Sequence, residues 1–259
     1  MWTLKMGSVL RVRYLTKFTK EENIKFISHL DVLKTIQKNI RRAGLPIEFS
    51  QGFNPHMNTS IAQPLSVGVY SSGEYMDMVL TTEMDEKEIV DKLNATAPSG
   101  IKYISALAIP YTPGEKKIPQ AMALIDAARY TIKVRYTDVS NLEEEMTNLL
   151  EAEQWNTIKK SKKGEREVNL KTLIREFSFW IKDEFLVLNV LISTGSREHL
   201  GADLLVKYIQ ENTTNAELEA FVDIKREEMY FYKNDKLVPL YKCIWWDYLC
   251  LNNFIKLSN

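Results

Sequence analysis

The sequence is poor in the residues that disulfide and metal scaffolds require. Only two cysteines occur among its 259 residues, Cys243 and Cys250. Neither their number nor their spacing fits a disulfide framework or a zinc or iron–sulfur site. We therefore expect no metal and no cofactor.

Long hydrophobic runs are also missing. No apolar run approaches the ~20 residues that span a bilayer. The segment Met1–Leu10 has a single lysine and lacks the apolar core of a secretory signal. We expect a cytoplasmic protein with no membrane partner.

Charge of one sign is not in excess, since 34 Lys and Arg balance 34 Asp and Glu. The distribution is uneven, however, because residues 1–60 hold 10 basic residues and only 4 acidic ones. A basic leading segment can attract phosphate groups. A solvated helix face rich in Lys and Arg explains the same surplus.

The periodicity of residues 8–108 predicts a strand, a helix, two strands, a helix and a strand. Ser28 and Asp31 have the spacing of a capping box at the start of the first helix, and Ser72-Gly73 is typical of a hairpin turn between the second and third strands. The expected elements are Val9–Tyr14, a helix from Ser28 to Arg42, Thr59–Val69, Tyr75–Thr81, Asp85–Ala95 and Ile101–Ala108.

The same order restarts after a proline-rich stretch. Residues 109–128 are the expected linker, residues 129–232 a second unit and residues 233–259 a tail. Ser140 followed by Glu143 predicts a helix cap in the second unit. The pattern indicates an α+β protein of two tandem ferredoxin-like halves, each β-α-β-β-α-β with an antiparallel sheet.

Unusual polar residues crowd into the first half. His29 would lie in the first turn of its helix, where the helix dipole favours a neutral imidazole that can act as a general base. His56 follows the turn dipeptide Asn54-Pro55, and Arg42 ends the helix. Candidate catalytic residues are therefore His29, His56 and Arg42. The alternative is that His29 only bonds a neighbour at the helix start and that His56 is an exposed ring in a loop.

A cleft is expected beside them. Gly52 permits close approach of a ligand, and Phe53 either stacks on a base or anchors the loop in the core. The capping box explains Ser28 and Asp31 without any chemistry. The candidate cleft residues are Ser28, Asp31, Ser50, Gln51, Gly52, Phe53 and Asn54.

Two basic clusters are candidates for contact with nucleic acid. Lys34, Lys38 and Arg41 recur at i, i+4 and i+7 opposite the apolar stripe, with Arg42 beside them. The second cluster is a basic hairpin tip within residues 159–166. Its candidate residues are Lys160, Lys162, Lys163 and Arg166. Both clusters are also explained as solvated surfaces.

Several motifs together resemble the bacterial radical-SAM-linked protein family. They are the segments Phe26–Asp31, Arg41–Pro46, Ser50–His56, Pro64–Gly68 and Lys160–Gly164, with Arg175 downstream. In that family the domain is fused to, or encoded beside, a B12-binding-type radical SAM protein, and its own role is not established. The resemblance implies a radical SAM protein as partner. The chain lacks the CxxxCxxC set of a radical SAM cluster, so it would be the companion and not the radical enzyme.

Three functions are consistent with these features. The first is an RNA-binding module that presents tRNA or rRNA to a radical SAM partner. The second is a metal-independent RNA-processing enzyme with His29 as its base, since the tandem plan is also similar to the repeat-associated endoribonucleases of CRISPR systems. Their glycine-rich loop is not evident here, and only Thr194-Gly195-Ser196 stands in a loosely similar place. The third is a protein-interaction subunit without nucleic acid.

Overall fold

The computed structural model describes residues 11–110, 118–161 and 164–243, and the side chains of Lys160 and Ser161 are not among the described ones. The protein is mixed α+β, with one large and mostly antiparallel sheet and few helices. Within the described ranges no helix is long and apolar enough to cross a membrane.

Six elements form the first half of the chain. They are β1 (Val12–Lys20), α1 (His29–Arg42), β2 (Thr59–Ile61), β3 (Val69–Leu80), α2 (Glu86–Ala95) and β4 (Tyr103–Ile109). In the sheet β1 lies between β4 and β3, and β2 pairs with residues 76–78 of β3. All three pairings are antiparallel.

The second half has a similar succession with an inserted ribbon. Its elements are α3 (Ala121–Leu124), β5 (Ala127–Arg135), α4 (Leu142–Glu151), β6 (Asn156–Ser161), β7 (Gly164–Asn169), β8 (Ile174–Lys182), β9 (Phe185–Ser193), α5 (Ala202–Glu211), β10 (Asp223–Lys233) and β11 (Lys236–Pro239). The order in the sheet is β10-β5-β9-β8, again antiparallel. Strands β6 and β7 form a separate two-stranded ribbon.

The strands of both halves lie in a single nine-stranded sheet, whereas the sequence predicts a sheet in each half. The junction is a short parallel pairing in which Val69–Ser71 of β3 lies beside Ile224–Arg226 of β10. The patterns of the individual strands do not encode this junction, because its partners are about 155 residues apart. The finer prediction of two ferredoxin-like halves is taken up under the proposed function.

Two hydrophobic clusters form the core. In the first, α1 turns Val32, Ile36 and Ile40 inward at a spacing of four residues, and they share the cluster with Tyr14 and Phe18 of β1. The second cluster joins both halves, because it combines residues of α4, α5 and the strands of the second half with residues of the first half. Its members include Leu15, Tyr75, Ile132, Met146 and Leu205.

The predicted hairpin turn at Ser72-Gly73 is wrong. Strand β3 runs unbroken through both residues, and the chain reverses in residues 62–68 instead. Gly73 has a different reason to lack a side chain, since an added Cβ would lie 2.6 Å from the carbonyl oxygen of Glu227 on β10. The glycine therefore permits the close approach of the two halves.

The predicted cap at Ser140 is also wrong. Helix α4 begins at Leu142 after Asn141, and no side chain caps it. The Ser140 hydroxyl and backbone N–H both donate to the Asp138 carboxylate, at 2.6 and 2.9 Å. Ser140 therefore forms a local turn with Asp138 and does not cap the helix.

The predicted linker and tail contain regular structure. Residues 109–128 include α3 and the start of β5, and the tail includes β11 and the buried Leu240. The rest of the tail, residues 244–259, lies outside the described residues, as do residues 8–10 of the first half.

Candidate nucleic-acid interface

The start of α1 is organised by its cap. The Ser28 hydroxyl oxygen accepts the Asp31 N–H at 3.3 Å, and the hydroxyl donates to Asp31 Oδ2 at 2.7 Å. This hydrogen bond from Ser28 lowers the pKa of the Asp31 carboxyl, and Lys34 nearby acts in the same direction. Ser28 and Asp31 are therefore engaged in holding the helix end.

His29 lies in the first turn of α1 at the edge of a small cavity of about 20 Å³. A cavity of that size holds about one water molecule. Its lining is Phe18, Lys20, His29, Val32, Ile61, Pro64, Leu65 and Glu74. The cavity is too small for a substrate, although His29 itself is exposed to solvent.

The solvent face of α1 is basic. Lys34, Lys38, Arg41 and Arg42 are all exposed. Lys34 approaches Asp31 at 3.6 Å, and the Arg41 guanidinium lies 6.0 Å from the ring centre of Phe49. Lys38 and Arg42 have no ion-pair partner within residues 11–110, 118–161 and 164–243.

The loop from Ser50 to His56 is tied at its base. The Ser50 N–H donates to the His56 carbonyl oxygen at 2.8 Å, and the His56 N–H donates to Ser50 Oγ at 3.1 Å. His56 Nδ1 lies 3.0 Å from the same hydroxyl oxygen. Its middle residues Gln51, Gly52, Phe53 and Asn54 are exposed.

Phe53 does not anchor this loop in the core, because its side chain is fully exposed. Gly52 before it has φ of +130°, a conformation that L residues rarely adopt, and open space surrounds it. The loop therefore presents an aromatic ring to solvent. Phe49, which immediately precedes the loop, has its ring centre 6.0 Å from the Arg41 guanidinium in the last turns of α1.

The three candidate catalytic residues are not brought together. His29 and Arg42 are the first and last residues of α1, so about 20 Å of helix separates their backbones. His56 bonds Ser50 instead. In the described part of the chain no hydrogen bond or ion pair joins His29 to either residue, and no group of three or more His, Cys, Asp or Glu could hold a metal ion.

The second basic cluster is only partly described. Arg166 is exposed on β7, opposite Lys159 in the ribbon. The side chain of Lys160 and the whole of Lys162 and Lys163 lie outside the described residues.

Neighbouring cations of the second half form hydrogen bonds and an ion pair with other parts of the fold. Lys159 donates to the His199 carbonyl oxygen at 2.6 Å, and Lys171 donates to the Leu150 carbonyl oxygen at 2.6 Å near the end of α4. Arg175 pairs with Glu198 at 2.8 Å. These three cations therefore have partners within the fold, whereas Lys38 and Arg42 of α1 have none among the described residues.

Sequence reasoning missed a buried charged group at the junction. Arg226 of β10 and Glu74 of β3 form an ion pair and are almost completely buried. Lys20 lies nearby, and burial lowers the pKa of its ammonium. The available signal was a charged residue on the buried face of a strand. Arg226 lies two residues after the buried Ile224, and Glu74 lies two residues before the buried Met76, so each shares a strand face with a buried apolar residue.

Comparisons with known proteins add a family match and two distant structural likenesses. The model of a family described as "Uncharacterized protein conserved in bacteria (DUF2344)" matches residues 13–201. A comparison with curated proteins finds no match.

The first likeness is to a chain in the crystal structure of a Cbf5-Nop10-Gar1 complex, with 11% identity and a TM-score of 0.47 over 91% of this chain and 54% of that one. This chain thus spans about half the length of that one. The second is to an unknown protein from Galdieria sulphuraria, with 12% identity and a TM-score of 0.24 over 84% of this chain and 98% of that one. At these TM-scores neither likeness informs the fold or the function.

Proposed function

The chain belongs to the DUF2344 family of uncharacterized proteins conserved in bacteria, and we propose that it is a cytoplasmic RNA-binding accessory protein. The observations that carry this proposal are the exposed basic face of α1 and the exposed ring of Phe53. Phe53 lies in the loop that follows Phe49, whose ring centre is 6.0 Å from the Arg41 guanidinium. We use "basic face" for Lys34, Lys38, Arg41 and Arg42 together. A row of cations next to an accessible aromatic ring is typical of single-strand binding surfaces.

The geometry of α1 suits a phosphate backbone. From Lys34 to Arg42 the helix rises about 12 Å, so the basic face can follow a short stretch of chain and release condensed counterions. An unpaired base can stack on Phe53, which a base inside a duplex cannot do. Unpaired RNA, such as a tRNA or rRNA loop, is therefore the preferred class of ligand.

We also interpret the architecture as two ferredoxin-like units. In each half the sheet order is the fourth strand, the first, the third and the second, counted without the β6–β7 ribbon. In each half one helix follows the first of these strands and another follows the third. They are α1 and α2 in the first half and α4 and α5 in the second. This order supports the β-α-β-β-α-β plan, and the basic face lies on the first helix of the first unit.

Neutralising the basic face is expected to abolish most salt-sensitive RNA binding. The variant is Lys34→Gln, Lys38→Gln, Arg41→Gln and Arg42→Gln combined. Each phosphate contact with a single strand contributes about 0.7 to the slope of log K against log salt. Four contacts give a slope of about −3 for the wild type, which should approach zero in the variant. Fluorescence anisotropy with a labelled single-stranded RNA between about 50 and 200 mM salt measures both slopes.

A matched control exists on α2. Lys87 pairs with Asp91 and Lys92 with Glu88, both exposed i,i+4 pairs on a helix surface. Lys87→Gln combined with Lys92→Gln should leave the slope unchanged. Equal losses in both variants, or no binding by the wild type at the lower salt, would refute an RNA site on α1.

Removing the ring of Phe53 is expected to weaken RNA binding without changing its salt dependence. Stacking of one base on an aromatic side chain contributes about 1–3 kcal/mol, so Phe53→Ala should raise the Kd by at least about fivefold. Because Phe53 packs against nothing in the core, the thermal midpoint should not move. An unchanged Kd across several RNA sequences would remove Phe53 from the interface.

On this proposal the protein presents the bound RNA to a radical SAM protein that modifies it. The support is the resemblance of the motifs around Phe26–Asp31 and Ser50–His56 to the radical-SAM-linked family. The test is reconstitution of this protein with a B12-binding-type radical SAM protein, with RNA as the third component. A complex that forms with wild-type protein, and whose RNA content falls with the neutralised basic face, supports the pairing.

The enzyme alternative has weaker support, because the candidate base His29 and the candidate phosphate ligand Arg42 lie at opposite ends of α1. Incubation of bound RNA without metal tests it directly. Intact RNA with both the wild type and His29→Ala favours the binding module. Cleavage that His29→Ala abolishes would favour the enzyme.

A further inference from the structure

A second exposed surface surrounds the start of α1 and is apolar. We call it the apolar patch, and its five side chains are between 40% and 64% exposed. They are Phe26, Ile27, Leu30, Val67 and Phe221. Single exposed apolar residues are common, but a cluster of large ones at one place marks an interaction site.

Three chain segments contribute to the patch, and two contacts with Phe221 join them. The rings of Phe26 and Phe221 meet edge to face with their centres 5.4 Å apart. Gly68, next to Val67, packs beneath the Phe221 ring, since an added Cβ would lie 3.5 Å from it. Ile27 and Leu30 follow Phe26 into the first turn of α1.

Buried hydrogen bonds hold these segments in place. The Lys25 carbonyl oxygen accepts the Gly68 N–H at 2.9 Å and the Lys20 ammonium at 2.9 Å. Lys20 donates also to the Val69 carbonyl oxygen at 3.0 Å and is almost completely buried. The patch is thus preorganised, which reduces the entropic cost of binding a partner.

Exposed acidic residues neighbour the patch along the chain, unlike the basic face. Glu21 and Glu219 are exposed, whereas Asp31 is already paired with Lys34 at 3.6 Å. Lys25, a cation beside the patch, lies 4.6 Å from the Phe221 ring centre. Glu22 and Asp223 lie 3.0 and 3.6 Å from the Lys25 ammonium, so its charge is locally balanced.

We propose that the apolar patch docks a partner protein through a segment whose apolar side chains are flanked by lysine or arginine. The apolar centre supplies binding energy, and the acidic surround selects for a basic segment and against phosphate-bearing ligands. The two ends of α1 then serve different partners, protein at the first turn and RNA at the last turns. The docking site does not depend on the RNA proposal.

A displayed library of random 12-residue peptides, selected on the full chain, tests this inference. We expect an enriched consensus with apolar positions beside Lys or Arg. A synthetic consensus peptide should bind at least tenfold more weakly to Phe26→Ser combined with Phe221→Ser. Ile104→Ser combined with Ile158→Ser is the matched control, since both residues are exposed apolar side chains outside the patch, and it should bind as the wild type does.

A charge variant keeps the test independent of the apolar substitutions. Glu21→Lys combined with Glu219→Lys preserves every apolar side chain and should weaken the same peptide, with the loss greatest at low salt. An acidic consensus, no consensus, or equal binding to the patch variant would overturn the proposal. Concentration-dependent dimers in sedimentation that disappear in the patch variant would assign the patch to a second copy instead.

Discussion

Replacing Arg226 by methionine is expected to lower the free energy of unfolding by about 3–5 kcal/mol. Arg226 of β10 donates from Nε to Glu74 Oε1 at 2.8 Å and from Nη2 to the other carboxylate oxygen. Both side chains are at most 3% exposed. Burial disfavours the guanidinium charge, but Glu74 raises the pKa of Arg226 above its ordinary value. The variant would leave a buried carboxylate without its partner.

A double variant separates this loss from a simple packing defect. Glu74→Leu combined with Arg226→Met removes both members of the ion pair, while the nearby Lys20 keeps its hydrogen bonds to the Lys25 and Val69 carbonyl oxygens. Such replacements of a buried pair are often close to neutral. Urea unfolding of wild type, single and double variants measures the difference. If the double variant is as unstable as Arg226→Met, the ion pair is not the source of the loss.

The Arg226–Glu74 pair lies where the two halves meet, and a second ion pair lies between the halves. Lys17 pairs with Glu228 at 2.6 Å, and the Tyr75 hydroxyl donates to the same carboxylate at 2.7 Å. Only three residues of β3 pair with β10. Because a short parallel pairing specifies register weakly, we infer that these charges fix how the two halves join.

Local signals in the sequence predict local structure well in this chain. Helix α1 is confirmed from its cap at Ser28 to its stop, where Gly44 adopts φ of +66° after Arg42. Helix α2 is confirmed as well, since the Asp85 side chain caps its start and it ends at Ala95. Both helices rest on contacts within a few residues of the chain, such as the Ser28 and Asp85 caps.

Contacts between distant segments could not be predicted from these local signals. Gly73 looks like a turn residue, yet it lacks a side chain because the backbone of Glu227 approaches it from β10. The joining of both halves in one sheet depends on the same contact between distant segments. The candidate site was predictable as residue types on α1 and the following loop, but the exposure of Phe53 required the structure. The functional roles of these residues stay predictions.

Replacing Trp155 by alanine is expected to cost about 3–5 kcal/mol of folding free energy. Trp155 is completely buried, stacks on Tyr208 with ring centres 5.4 Å apart and meets the edge of Phe177 at 5.7 Å. Its indole N–H donates to the Leu149 carbonyl oxygen of α4 at 2.7 Å. Truncation would leave both a large cavity and a buried acceptor without its donor.

Trp180 is the matched control, because it is an exposed tryptophan on β8. Trp180→Ala should cost no more than about 1 kcal/mol, and equal losses at the two positions would contradict this account. Trp155 immediately precedes β6, so its loss should also raise amide exchange along Asn156–Asn169, the ribbon that carries Arg166. If RNA affinity survives this loosening while the neutralised basic face abolishes it, the ribbon is not part of the RNA site and α1 carries the binding.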